Sequence, residues 1–243
     1  MKQTIFTITE NTALTATVYK MVLAGDTDGI TTGQFVNILL DGLYLRRPIS
    51  VCDCQGDTLT LIYKVVGKGT AQMAAMTVGQ MLDVLTGLGN GYDLSKAGDH
   101  PLLIGGGVGV PPLYMAARQL RAQGKAVSVI LGFNTANEVF YEQEFAALGC
   151  DVTVTTADGS HGVKGFVTAA LPSDYSYFYT CGPEPMLKAV YRATVTSGQF
   201  SFEERMGCGF GACMGCSCKV ITGYKRICKD GPVLEKEEIL WDA

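Results

Sequence analysis

Five of the nine cysteines fall between 208 and 228, in Cys208-Gly-Phe-Gly-Ala-Cys213-Met-Gly-Cys216-Ser-Cys218 with Cys228 downstream. The first three read C-x4-C-x2-C, and with a later cysteine this is the ligand order of a plant-type 2Fe–2S cluster. Two irons need four thiolates, and the enclosing loop must be compact. Gly207, Gly209, Gly211 and Gly215 give it backbone freedom and leave N–H groups free to face sulfur. A structural zinc site could use Cys213 and Cys216 as a knuckle, but zinc does not call for a cysteine five residues upstream. A disulfide framework fits poorly with an odd cysteine count. The opening MKQTIFTITE carries no apolar signal segment, so a reducing, cytoplasmic location is expected. The fourth ligand is either Cys218 or Cys228. One residue separates Cys216 from Cys218, which makes it hard to turn both thiolates onto a cluster, so Cys228 is favoured.

Other segments have spacing suited to a nucleotide. Gly105-Gly-Gly-Val-Gly-Val-Pro-Pro112 follows an apolar strand and precedes a helix, as a dinucleotide loop does. From Gly107 it reads G-x-G-x-x-P, an imperfect fingerprint, and a plain tight turn would look similar. Cys181-Gly-Pro-Glu-Pro-Met186 also follows a predicted strand, which would put both loops on the carboxyl rim of one sheet. Cys181 could equally be a small buried residue at a strand end. In the N-terminal part, Arg46-Arg47-Pro48-Ile49-Ser50 lies between two predicted strands. An arginine fork suits a diphosphate and a serine hydroxyl can donate to a flavin ring, although an isolated Arg-Arg pair is more often a solvated turn. Gly67-Lys68-Gly69-Thr70 is a further loop whose N–H groups could reach a phosphate. His100 and His161 fall in loop-like contexts, and no catalytic acid or base is expected on this chain.

The elements that must position these residues divide the chain. Its 243 residues suffice for two domains or slightly more; 47% are hydrophobic and 17% charged, which excludes a disordered chain. A net charge of −4 with scattered lysines and arginines argues against nucleic acid. The longest apolar candidate, Pro101–Met115, is broken by glycines and prolines, so no membrane span is expected. Residues 1–98 read as β-rich: Leu14–Leu23, Gln34–Leu40 and Thr58–Val66 alternate or are β-branched, with one short helix at Ala71–Met76, suggesting a small antiparallel barrel. Over 99–199 strands alternate with helices. Strands are predicted at Leu102–Gly105, Val127–Leu131, Val152–Thr155 and Tyr175–Thr180, and helices at Pro111–Gln123, Glu138–Leu148 and after Pro185. That order is α/β, with a Rossmann-like parallel sheet. Residues 200–243 form a third, small unit that a metal centre would largely hold together.

RPIS, GKGT, GGGVGVPPL and CGPEPM resemble, in order, the landmarks of the ferredoxin–NADP reductase superfamily. Ile49 stands where the superfamily's flavin motif has tyrosine. Within it, the tail MGCGFGACMGCSCKV…YKRICKDGPVL is similar to the electron-transfer subunits of class 1B dihydroorotate dehydrogenases. The resemblance implies an FAD barrel, an NAD domain and a 2Fe–2S domain. It further implies an FMN-containing catalytic subunit as partner, two copies of each, serving pyrimidine synthesis. Carried over by residue, it implies FAD contacts at Arg47, Pro48, Ile49, Ser50, Ile62, Tyr63, Lys64, Gly69 and Thr70. It implies nicotinamide contacts at Gly107, Gly109 and Cys181, and cluster ligands at Cys208, Cys213, Cys216 and Cys228. No Arg or Lys follows the Val127–Leu131 strand, where a 2′-phosphate would want one, so NAD is expected over NADP. Two alternatives remain: a related flavin and iron–sulfur reductase subunit serving a glutamate synthase-like, sulfide or ferredoxin partner, or a non-catalytic redox sensor.

Overall fold

The computed structural model describes residues 1–241. Six strands form the first unit: β1 (Lys2–Ala13), β2 (Val18–Ala24), β3 (Phe35–Ile38), β4 (Arg47–Gln55), β5 (Thr58–Lys64) and β6 (Met81–Leu88), with helix α1 (Lys68–Ala74) between the last two. They close into a barrel in the order β1-β2-β5-β4-β3-β6, every pair antiparallel. Alternation drives closure. Along β6 every second residue is buried, and Phe6, Met21, Val36, Ile38, Val51 and Leu61 fill the interior. Three expectations need correction here. Leu14–Leu23 is interrupted by the turn that joins β1 to β2; β1, with only Phe6 and Ile8 buried, has too weak an alternation to announce itself. The RRPIS segment does not connect two strands, because from Arg47 it is the first half of β4. Lys68 and Gly69 already belong to α1 rather than to a loop before it.

The second unit is built on β7 (Pro101–Gly106), α2 (Tyr114–Ala122), β8 (Ser128–Phe133), α3 (Glu142–Ala147), β9 (Asp151–Thr156), β10 (Val163–Lys164), β11 (Tyr177–Cys181), α4 (Glu184–Ala193) and β12 (Gly198–Ser201). Its strands run parallel in the order β10-β9-β8-β7-β11-β12. Helix α2 buries Met115, Ala116, Ala117 and Leu120 and ends at Gly124, whose φ of +78° is the left-handed stop a helix favours. The helix expected over Glu138–Leu148 is shorter. A 3-10 turn covers Ala136–Glu138, and Tyr141 breaks the path at φ +67°, held there by its buried ring packing 5.2 Å from Tyr114.

The C-terminal segment contributes the hairpin β13 (Ser217–Val220) and β14 (Gly223–Arg226), then β15 (Val233–Glu235). β15 adds antiparallel to β12 as the seventh strand of the parallel sheet, with Ser201 opposite Val233. The cysteine-rich segment is therefore not held by metal alone. Phe35 and Leu88 of the barrel, Ile104 and Phe178 of the sheet, and Cys216, Ile227 and Cys228 share one core. Asn90, on the linker after the barrel, gives Nδ2 to the Val233 carbonyl at 2.7 Å and accepts from its N–H at 2.9 Å. The barrel and sheet are joined by Arg118, which donates Nη2 to Asp53 Oδ1 at 2.8 Å, and by a core that includes Cys52, Ile62, Val110 and Phe140.

Candidate functional site

The four cysteines expected to hold iron are arranged as two pairs. The Cys213 N–H is presented to Cys208 Sγ and the Cys228 N–H to Cys216 Sγ, which sets Cys208 beside Cys213 and Cys216 beside Cys228. Backbone amides face the sulfurs: Ala212 N–H to Cys208 Sγ at 3.2 Å, Cys213 N–H to the same atom at 3.4 Å, Gly215 N–H to Cys213 Sγ at 3.5 Å, and Cys228 N–H to Cys216 Sγ at 3.4 Å. Burial raises the Cys208 thiol, but the Phe210, Cys213 and Ala212 amides and the Cys213 thiol outweigh it and bring its pKa down to about 6. Burial, then the neighbouring Cys216, pushes Cys228 up to about 12. Among the described residues no three metal-binding side chains converge on a single ion. The C-x4-C-x2-C spacing with backbone amides turned to the sulfurs suits a 2Fe–2S cluster.

Cys218 sits on β13, near enough to Cys216 to feel its charge, and lines a cavity of about 260 Å³ with Gly182, Glu203, Lys219 and Trp241. The loop around Cys228 is stapled by Arg226, which donates Nε to Asp230 Oδ2 at 2.9 Å and Nη1 to the Gly211 carbonyl at 3.0 Å. The Arg226 bond holds the Asp230 carboxyl well down, at about 2.

The structure separates the two adjacent arginines. Arg46 donates Nη1 to Asp83 Oδ1 at 2.9 Å and to the Asp83 and Asn37 carbonyls, so its charge is spent inside the barrel wall. Arg47 donates only to the Leu45 and Arg46 carbonyls and has no carboxylate partner among the described residues. Its guanidinium lies against Gly69, where a methyl group would overlap it, and this brings Arg47 and Gly69 together. Thr70 is turned back, accepting from the Val66 N–H at 2.9 Å, so its hydroxyl shapes this corner. The Ile49 side chain packs on the barrel core, whereas Pro48 and Ser50 share the outward face with their partners Asn37 and Phe35. On β5, Ile62 packs in the core between the two domains and Lys64 is exposed. Tyr63 points the other way, into the barrel, where its hydroxyl donates to Asn11 Oδ1 at 3.0 Å and burial raises its pKa. Asn11 in turn donates to the Met73 and Met76 carbonyls at 2.9 Å, so the Tyr63 ring steadies α1.

The end of β5 packs against the Gly107–Gly109 turn of the sheet domain. Gly109 meets the Cys181 carbonyl so closely that a side chain there would overlap it, which joins the two rim loops. Cys181 is buried; loss of solvent, then the Glu203 charge, pushes its pKa to about 12, making it a neutral thiol and not a nucleophile. Glu203, just past β12, is an exposed residue with no hydrogen-bonding or ion-pair partner among the described residues; it lines the same cavity as Cys218, and partial loss of solvent raises its pKa. Sequence reasoning missed Glu203 and Asn37. A Glu-Glu pair after a strand and a lone Asn within one carry no spacing signal.

Residues 203–240 match the family described as the iron–sulfur cluster binding domain of dihydroorotate dehydrogenase B, and residues 103–192 match the oxidoreductase NAD-binding domain. A protein of Geobacillus sp. named as the electron transfer subunit of dihydroorotate dehydrogenase B (NAD(+)) is 41% identical, covering 99% of both chains. One of the same name from Fusobacterium nucleatum is 45% identical over 93% of this chain and 94% of its own. The chain belongs to the dihydroorotate dehydrogenase B electron-transfer subunit family. Among solved structures, an NADH-dependent reduced ferredoxin–NADP oxidoreductase described for flavin-based electron bifurcation superposes with a TM-score of 0.89 at 29% identity, covering 98% of this chain and 90% of that one. A ferredoxin NADP+ reductase from Neisseria gonorrhoeae shares the fold alone, with TM-score 0.69, 18% identity and coverage of 79% and 90%. The barrel, the parallel sheet and the cysteine-rich tail of the dihydroorotate dehydrogenase B subunit family are thus all present in this chain.

Proposed function

We propose that this chain is the electron-transfer subunit of an NAD-dependent dihydroorotate dehydrogenase, working in pyrimidine synthesis in the cytoplasm beside an FMN-containing catalytic subunit in a two-plus-two assembly. The observation that carries the reading is the fringe of backbone amides around the sulfurs of Cys208, Cys213 and Cys216, in a loop that rests on β3 through Asn37. When bound, FAD supplies the exchange between hydride chemistry at NAD and single-electron chemistry at a 2Fe–2S cluster. In this reading Arg47, without a carboxylate partner among the described residues, neutralises the flavin diphosphate beside Gly69. Pro48, Ser50 and Ile62 line the outward wall of the barrel that faces the glycine-rich turn, while Ile49 and Tyr63 support that wall from inside. Gly107, Gly109 and the neutral Cys181 shape the nicotinamide rim. After β8, Asn134 is engaged with Glu138 at 2.9 Å, and a carboxylate there suits the ribose of NAD and opposes the phosphate of NADP. Cys208, Cys213, Cys216 and Cys228 hold the iron, and Thr70 orders the loop before α1. The exposed Phe210 and Met214 of the cluster loop offer an apolar rim for the catalytic subunit.

No helix of the described residues is long and apolar enough to cross a membrane. The 0.89 superposition keeps a second reading in view, a ferredoxin-linked reductase subunit. One experiment separates the two. The purified chain should reduce artificial acceptors with NADH but leave dihydroorotate untouched. Adding the FMN subunit should yield a stable complex that reduces NAD with dihydroorotate. Turnover of dihydroorotate by the single chain would sink the proposal, and so would failure of the reconstituted complex.

A further inference from the structure

Asn37 occupies the third position of β3, on the strand between β4 and β6. Val36 and Ile38 point into the barrel, so Asn37 points out, and it is 1% exposed. Its Nδ2 donates to the Cys208 carbonyl at 3.4 Å, the contact by which the first cluster ligand rests on the barrel. Gly209 is at φ +78°, and a methyl group on it would overlap the Asn37 amide, so the loop is shaped to let this side chain approach. The contact to a carbonyl also sets the amide's orientation: nitrogen towards Cys208, oxygen away. That oxygen, Oδ1, is buried without a hydrogen-bond donor among the described residues. A buried amide oxygen left unpaired is uncommon and unfavourable. Its cross-strand neighbour is Pro48, which has no N–H to offer, and Pro48 stands on the outward face assigned above to the flavin.

We propose that Asn37 is a flavin-binding and positioning residue that joins the two redox sites, its N–H group holding the Cys208 carbonyl and its free Oδ1 accepting a hydrogen from FAD bound along Arg47–Ser50. The inference rests on the proposed FAD site and adds a contact and a coupling to it. Cross-strand side chains on one face lie about 5 Å apart, which sets Asn37 beside Pro48 and Phe35 beside Ser50 on the outward face. Removing the joint should be felt at both centres.

The test uses the full chain with its cofactors. FAD and iron per chain are measured first in the wild type, whose lack of either would overturn the underlying reading and the joint together. Asn37→Ala removes both contacts, whereas Asn37→Asp keeps an oxygen and loses the N–H. FAD affinity, followed by fluorescence on dilution, should fall about fivefold in Asn37→Ala and stay within about twofold of wild type in Asn37→Asp. The electron paramagnetic resonance spectrum of the reduced cluster should change in both variants, and NADH should reduce the cluster more slowly in both. A purely structural role would weaken FAD equally in the two variants. That result, or an Asn37→Ala chain with wild-type FAD affinity, would overturn the proposal while leaving the FAD site itself in place.

Discussion

Arg46 and Arg47 are neighbours in sequence, and replacing each by alanine should have opposite consequences. The Arg46 side chain is 19% exposed and gives three hydrogen bonds, at 2.9 Å to the Asp83 carboxylate, 3.1 Å to the Asp83 carbonyl and 3.3 Å to the Asn37 carbonyl. Its loss leaves Asp83 with Gln3 alone, at 2.6 Å. Mostly buried charged hydrogen bonds of this kind are worth about 2 kcal/mol to stability, or about 4–8 °C in the melting temperature of a chain this size. The Arg46 bond holds the Asp83 carboxyl below its usual 3.8, so the stabilisation is fully present above that pH and fades as the pH falls through the depressed value. The Arg46→Ala penalty should therefore be large at pH 7 and shrink near pH 3. Arg47 meets only main-chain carbonyls, so Arg47→Ala should move the melting temperature of the FAD-free chain little. It should instead weaken FAD by about 1.5–3 kcal/mol, about ten- to hundredfold in Kd. Thermal melts at pH 7 and pH 3, with fluorescence titration of FAD, measure both halves. If Arg46→Ala releases FAD while Arg47→Ala retains it, the division of labour drawn from the ion pair is wrong.

Serine at Cys208, Cys213, Cys216 or Cys228 should lower iron per chain and bleach the visible cluster absorption, while Cys218→Ser keeps both; a cluster lost in Cys218→Ser but kept in Cys228→Ser would reverse the ligand assignment. Glu203, exposed but partly desolvated, should make the chain slightly less stable as pH rises. Its raised pKa means that the folded state binds more protons than the unfolded state from about 4.5 up to the raised value, so stability declines across that window. Glu203→Gln should flatten that part of the melting-temperature profile, and an unchanged slope would show that the carboxyl is already solvated.

The fold was legible where residues repeat a period or punctuate it. β5 alternates Thr and Leu before a β-branched and aromatic end, β8 is a near-continuous apolar run, α2 buries Met115, Ala116, Ala117 and Leu120, and Gly124 ends it as glycine should. What stayed hidden depended on distant partners. β1 is exposed over much of its length and is a strand because β2 and β6 flank it. The truncated start of α3 follows from the packing of Tyr141 on Tyr114, which no local propensity encodes. The cysteine spacing was readable because metal ligation imposes it. The separate roles of Arg46 and Arg47, and the inward turn of Tyr63, depend on Asp83 and Asn11, far away in the chain.

The pairing of β12 with β15 bears on how such a protein is assembled. Ser201 sits opposite Val233, so the whole cysteine-rich excursion leaves and re-enters the sheet at one point. Strand pairing and the two Asn90 hydrogen bonds offset part of the entropy of closing that loop through contacts that involve no metal ligand. Metal is left to order a segment tethered at both ends, in contrast to a zinc finger, which has no fold without its ion. Stripping the iron with a chelator should therefore leave the far-ultraviolet circular dichroism of the barrel and sheet in place.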